Sequence, residues 1–338
     1  MIETPLLTRP PAVQDTPAPC IIARPVPLQA LSAAEWDGFA ARCGASYHCA
    51  LAHIRAWRLL RTVRVFELVR QDAGGEARIG QCAVALGGRR RFLDSLQLLP
   101  DHAAEWPAAM AAVLRALGPG TYRYGSTWSL QPRREALLRD LPGISIEHVQ
   151  PMAVQAVDFG AYAGWDAYLR AVSTNARRNA RKAAQAYPDL VVKLHEGPAM
   201  QGQVPKLTWL RNAVCRRKRL RFRLPHEWLR AAARAEIWRR YGFIASVEAG
   251  GRTLGMFSGI RFGGSTCYLE GASRADNEGA SWYLMLEMLR HAYAQHPQGH
   301  FIMGIVTEDA KLTRSREQCR VADHPTSIVE FRYAGATG

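Results

Sequence analysis

Between Ser258 and Gly304 the chain reads SGIRFGGSTCYLEGASRADNEGASWYLMLEMLRHAYAQHPQGHFIMG: strand, turn, strand, loop, amphipathic helix, strand. The loop Arg274-Ala-Asp-Asn-Glu-Gly279-Ala280-Ser281 hands its backbone amides to the start of that helix. A helix N-terminus binds anions because its first amides are unpaired and its dipole end is positive. Gly279 and Ala280 are small enough to admit a phosphate to the backbone. Ser281 can cap the helix or donate to the anion, and Arg274 can fork onto a phosphate. An ordinary capped turn uses the same residues, so the loop needs corroboration from its surroundings.

Upstream, Tyr268 and Glu270 alternate with Cys267 and Leu269 and are expected on one face of a strand. Lining a cleft, Glu270 would take the proton of an attacking amine and Tyr268 would act as acid or hydrogen-bond donor. On an edge strand both would face solvent. Glu308 and Asp309, after the last strand of the segment, compete for the role of base or of partner to a cationic amine. Two cationic features stand apart from these. Ser173, Arg177 and Arg181 fall at i, i+4, i+8 on a helix, with Arg178 and Lys182 in a second stripe. The run Arg216-Arg217-Lys218-Arg219-Leu220-Arg221-Phe222-Arg223 is denser still. Both fit the phosphates of a cofactor or of a tRNA end, and both also fit a solvated helix face.

The ten histidines are scattered, without HExxH or a Cys/His cluster at zinc spacing, so no metal is expected. GxSxG and GxxxxGK[ST] are absent, which removes an esterase elbow and a P-loop. Trp282, Leu286, Leu289 and Tyr293 form an apolar helical stripe, read as core packing.

These residues need elements to hold them. In the first half, strands are expected at 24–30, 62–70, 77–86, 92–99, 121–124, 144–148 and 153–158. Helices are expected at 32–43, 51–60, 103–117 and 132–140. Ser32 with Glu35 forms a capping box, and Asp72-Ala-Gly-Gly a hairpin turn. In the second half, helices are expected at 165–186, 202–217, 225–240 and 280–295. Strands are expected at 190–195, 242–249, 253–262, 265–272, 300–305 and 326–333. The halves share an order of elements, helices then an antiparallel meander then helix and strand, without a repeat of sequence.

The chain has 338 residues, enough for two domains, and a net charge of +15. Residues 1–160 hold 17 Lys plus Arg against 14 Asp plus Glu, and residues 161–338 hold 27 against 15. The second half therefore carries +12, which suits an anionic partner, although an arginine-rich composition throughout would give the same sign. The seven cysteines are scattered without CxxC, as expected for a reducing cytoplasm. There is neither a signal-peptide pattern nor an apolar run of membrane-spanning length, so no integral membrane segment is expected.

Gly164-Trp165-Asp-Ala-Tyr168-Leu169 followed by Ser173-Thr-Asn-Ala-Arg177-Arg178-Asn-Ala-Arg181-Lys182 resembles the FemAB-like branch of the GNAT superfamily, including CelD-type acetyltransferases. There an aromatic-led helix ends in S-x-x-x-R-x-x-x-R-K. The Gly279-Ala280-Ser281 helix start, with Gly304 and Lys311-Leu312 downstream, is similar to the family's late G…YK region. The aromatic before the lysine is replaced here by Ala310, and no proline follows Ser281. The likeness implies an α/β (α+β) fold of two tandem GNAT-like domains, each a mixed, mainly antiparallel sheet flanked by helices. It divides the chain into a leader (1–22), a first domain (23–160) and a catalytic domain (161–338). It implies transfer of an acyl group to the amine of a small or amino acid-like acceptor. The expected donor is acyl-CoA, held by Arg274, Gly279, Ala280, Ser281 and Lys311. Aminoacyl-tRNA, bound through Arg177, Arg178, Arg181, Lys182, Arg216, Arg217 and Arg219, is the alternative donor, and acyl carrier protein a further possible partner. A non-catalytic RNA-binding protein is the third reading.

Overall fold

The turn at Asp72-Ala-Gly-Gly closes a hairpin: the Asp72 carboxylate accepts a hydrogen bond from the Gly74 amide at 2.9 Å, and Gly75 takes a φ of 119°. The structure, a computed structural model, describes residues 20–335. Its first half runs β1 (Cys20–Val26), α1 (Ala33–Arg42), α2 (Leu51–Trp57), β2 (Thr62–Asp72), β3 (Gly75–Gly87), β4 (Arg90–Leu93), β5 (Leu96–Leu98), α3 (Trp106–Leu117), β6 (Gly120–Tyr124), α4 (Glu135–Arg139) and β7 (Ile144–Asp158). There follow α5 (Trp165–Ala171), α6 (Thr174–Ala186), β8 (Val191–Glu196), α7 (Gly197–Arg217), α8 (Leu224–Tyr241), β9 (Gly242–Ala249) and β10 (Arg252–Phe262). Last come β11 (Ser265–Ser273), α9 (Ala280–Gln295), β12 (His300–Ile305), α10 (Ala310–Glu317) and β13 (Ala322–Tyr333).

All thirteen strands among the described residues join one sheet, in the order β1-β2-β3-β4-β6-β13-β7-β12-β11-β10-β9-β8 with β5 against β3. The pairings are antiparallel except β4–β6 and β11–β12. The result is the expected mainly antiparallel sheet flanked by helices. β13 pairs with β6 on one side and along β7 on the other, so a strand from beyond residue 161 completes the sheet of the first half. Of the expected leader, residues 20–22 already belong to β1, and residues 1–19 lie outside the described residues.

Four apolar cores cover the two faces of the sheet. In the first half α3 packs over Phe66, Tyr122 and Phe331, while α1 and α2 bury Trp36, Leu51 and Ile54. In the second half α5, α6 and α9 enclose Tyr168, Phe243 and Phe301. The opposite face, under α7 and α8, is shared: Leu207 and Ile237 pack in one cluster with Tyr47, Cys49 and Ala50 of the first half.

The strand expected at 92–99 is two, β4 and β5, those expected at 144–148 and 153–158 are the single β7, and two expectations about helices fail for physical reasons. The helix expected over 165–186 is two helices, because Val172 turns extended and the Ser173 hydroxyl accepts from the Ala176 amide at 3.1 Å, capping a new one. Ser173 is therefore a cap and not part of a basic stripe. The capping box at Ser32 does not form: Ser32 takes the N-cap position, but its side chain makes no cap bond.

Candidate active site

β11 and β12 run parallel but pair at only three positions, Ser265↔His300, Thr266↔Phe301 and Cys267↔Ile302. Beyond them the strands part, and the rest of β11 keeps an edge with no strand beside it. Over the unpaired end of β11, and walled also by Gly255, Met256 and Phe257 of β10, lies a cleft of about 320 Å³ between α7 and α9. Tyr268 and Gly271 of β11 line it, with Ser281 and Trp282 of α9 and Arg217 and Lys218 of α7. A Cβ on Gly271 would meet the Tyr268 hydroxyl at 1.9 Å, so glycine there lets the phenol lie across the strand. Burial, set against the charge of Arg316, pushes the Tyr268 phenol up to about 12, and it is a neutral donor at ordinary pH. Arg316 of α10 is held at the end of β12 by the carbonyl of Ile305 at 2.5 Å and the Gln155 side chain at 3.2 Å.

The loop before α9 is built differently from a bare phosphate cradle. Gly279 has φ 93°, and a Cβ there would lie 2.4 Å from the Asn179 carbonyl of α6. The glycine is thus demanded by the packing of α6 on the loop. Asn277 accepts from the Gly279 amide through its side chain at 2.9 Å and from the Ala280 amide through its carbonyl at 2.7 Å. The Trp282 and Tyr283 amides turn back to the Gly279 carbonyl. Within this first turn Ser281 remains to face the cleft. Arg274 is tied into its own loop by Asp276 at 3.2 Å.

Tyr268 and Glu270 do not share a face. A β-bulge between Ser258 and Gly259 of β10 sets Ser258 opposite Glu270 and Gly259 opposite Tyr268, which breaks the alternation. The Tyr268 ring packs 5.1 Å from Phe257, whereas Glu270 turns toward α7 and α8. There it receives Arg230 at 2.7 Å, Arg234 at 2.9 Å and Arg211 at 2.9 Å. Neither oxygen is free of a cation, so Glu270 is a counter-charge in a network and not an available base. Glu227 completes that network with Arg211 and Arg230. Burial works against its charge, but the two guanidiniums outweigh that effect and hold its carboxyl below the usual range.

Arg234 carries the network into the first half. Burial, aided by the Arg234 charge, lowers His53 to about 4 and His48 well below the ordinary imidazole value. Both rings are therefore neutral at pH 7. They stack 4.7 Å apart, walled by Tyr47 against His48 and by Trp57 against His53. His48 Nδ1 lies 2.8 Å from Ser126 Oγ and 3.5 Å from Asp94 Oδ2. Burial raises the Asp94 carboxyl to about 7, against the charges of Arg123 and Arg61. Trp128, 6.1 Å from Tyr47, reaches to Gly304 of β12, so the aromatic cluster extends to that strand. His48, His53 and Asp94 bring one ligand atom each within 4.8 Å of one another. No sequence spacing announced that cluster. Three guanidiniums act on it, which favours proton handling over holding a cation.

Residues 170–311 match the family model described as acetyltransferase (GNAT) domain. That stretch of the chain is a GNAT acetyltransferase domain. The chain's fold is similar to that of FemX, with a TM-score of 0.70 at 9% identity over 88% of this chain and 96% of that one. It is also similar to a conserved protein of unknown function from Bacteroides thetaiotaomicron VPI-5482, with a TM-score of 0.58 at 10% identity over 93% and 99% of the two chains. No curated protein sequence matches the chain. The protein is thus an acyltransferase, and its fold is similar to that of FemX.

In this acyltransferase the expected site residues do not gather in one place. Tyr268 and Ser281 reach the cleft, and so does Arg217 from the basic run. Gly279, Ala280 and Arg274 shape the loop, and Arg178, Arg181 and Lys182 form a cationic shelf on α6, with Lys182 3.5 Å from Glu278. Arg177 and Arg181 also rim a separate groove of about 500 Å³ between α5, α6 and α9. Glu308 and Lys311 are exposed where α10 starts, and Asp309 caps that helix by accepting from the Lys311 and Leu312 amides. The side chain that α10 sends inward is Arg316, a turn later. Arg216 and Arg219 stand exposed at the α7–α8 tip, away from the cleft lining. Sequence reasoning missed His48, His53, Asp94, Trp128 and Arg316, because each becomes chemical only through a neighbour far along the chain.

Proposed function

We propose that this acyltransferase moves an acyl group from acyl-CoA to the amine of a small, amino acid-like acceptor, with the donor in the cleft over the end of β11. The observation that carries this is the parting of the two strands. An unpaired strand edge offers amides and carbonyls to an extended chain, and the pantetheine arm is such a chain, with two amide groups of its own. Arg217, Lys218 and Ser281 near the cleft suit its phosphates.

The acceptor enters from the aromatic pocket of the first half, which serves as the acceptor side of the enzyme. Its nitrogen attacks the thioester carbon; the C–N bond forms and the C–S bond breaks. His48, neutral and oriented at Nδ1 by Ser126 and Asp94, takes the amine proton at Nε2 and passes it to water. Tyr268 gives its proton to the departing thiolate and regains one from water. Arg316 steadies the negative charge on the carbonyl oxygen.

A FemAB-like use of aminoacyl-tRNA is the second reading, favoured by the basic run at 216–223. Incubation with acetyl-CoA, longer acyl-CoAs and charged tRNA, followed by mass spectrometry, separates the two. Consumption of an acyl-CoA with release of free thiol is expected. Consumption of charged tRNA alone would overturn the CoA reading.

A further inference from the structure

The α7–α8 hairpin ends in a tip of which the transfer reaction uses only Arg217 and Lys218. From Arg216 to Arg223 it holds six cations and no acid. Among the described residues none of the six forms an ion pair with a carboxylate. Interleaved with them are apolar side chains held out to solvent: Leu220 is 58% exposed, Leu224 42%, Trp228 43% and Leu229 71%. Soluble proteins seldom leave such a group uncovered without a partner. Phe222, by contrast, turns back toward Arg211, 6.0 Å from its guanidinium, so the tip has sorted its apolar residues into one anchored inward and four presented outward.

We propose that this tip docks the enzyme on an anionic bilayer surface. Charge complementarity names the sign of the partner, and the side-chain types name its class. A nucleic acid would be met by cations and flat stacking surfaces. Three of the four exposed residues are leucines, which have no stacking face but partition readily into the acyl boundary of a membrane. Trp228 is of the type that sits at the headgroup level. The cations engage the headgroups at short range. Among the described residues no helix is long and apolar enough to cross a membrane, and the contact proposed is a peripheral one. Arg217 and Lys218 belong both to this tip and to the cleft lining, so docking sets the cleft beside the lipid surface. The proposal does not depend on which donor the cleft takes.

The test is sedimentation of the whole protein with vesicles of phosphatidylcholine alone or mixed with phosphatidylglycerol, at low and high salt. Binding only to the anionic vesicles is expected. The double variant Leu220→Ser, Leu229→Ser is expected to lose about tenfold or more in partitioning, with unchanged thermal unfolding and unchanged turnover of a soluble acceptor. Arg219→Gln with Arg221→Gln should weaken binding about fivefold per charge at low salt and little at high salt. The same variants are run against tRNA in a gel-shift assay. Failure to bind anionic vesicles overturns the proposal. So does vesicle binding unaffected by the leucine changes, or RNA binding that the leucine variant retains while vesicle binding is absent.

Discussion

Asp94 holds two opposed consequences in one carboxyl. Its pKa is raised to about 7 by burial, so the folded state keeps a proton there that the unfolded chain releases near pH 4. Stability from this group is full below its ordinary value and is lost as pH rises through about 7, at up to about 1.4 kcal/mol per pH unit. Asp94→Asn should therefore gain on wild type in thermal midpoint as pH is taken from 4 to 7.5. A constant gap would refute the shift. The ionised carboxylate is also what orients His48, with Tyr47, His53, Ser126 and Arg234 around that ring. Acceptor kcat/KM should rise through about pH 7 in wild type and lose that step in Asp94→Asn. Glu270 behaves differently. Glu270→Gln leaves Arg211, Arg230 and Arg234 short of a counter-charge and should cost roughly 2–4 kcal/mol of stability by denaturant titration. The position of the pH–rate profile should stay fixed, and a displaced profile would restore Glu270 as a base.

At the level of elements, the place of the Tyr268 phenol along β11 is kept by a missing side chain. Gly271→Ala forces the Tyr268 hydroxyl from its place. Donor KM should rise and kcat fall, by about tenfold or more together, while unfolding shifts by about 1 kcal/mol or less. Equal kinetics would mean that the phenol is not at the reaction. Gly279→Ala should instead cost fold stability, roughly 1–3 kcal/mol, since φ is positive and the α6 backbone stands in the way. The β10–β11–α9–β12 order was legible in the sequence because each strand is apolar on both faces and each turn carries Gly-Gly or a loop of small residues. The bulge opposite Glu270 was not, because a register slip depends on the partner strand and leaves the period of two intact on paper. Ser173 illustrates a milder miss: an unbroken helical pattern hides a cap, since the side-chain bond to Ala176 needs only one residue to turn extended. The His48 pocket was beyond reach, as His48 and Ser126 meet only after strand pairing brings them together.

Across the whole molecule the halves are joined in three ways, through the shared apolar cluster, through β13 and through the pairing of β7 with β12. Phe331 on β13 stacks on Tyr122 at 5.4 Å and is buried in the core under α3. Phe331→Ala should cost about 3–5 kcal/mol. Because the strand also lines β7, the loss should appear as one lowered transition in calorimetry. Two separated transitions would show that the halves unfold independently.

The place of β13 also bears on the order in which the protein is made. β6 ends at Tyr124 and β7 at Asp158, yet the strand that belongs between them begins at Ala322. During synthesis β6 therefore stands with one edge unsatisfied, and β7, whose neighbours β13 and β12 both come later, with two, while the whole acetyltransferase region leaves the ribosome. Edges of that kind attract other strands. A protecting chaperone, or rapid closure by β13 on emergence, becomes a condition for producing the enzyme without aggregation, and slow translation of the middle of the chain lengthens the exposure.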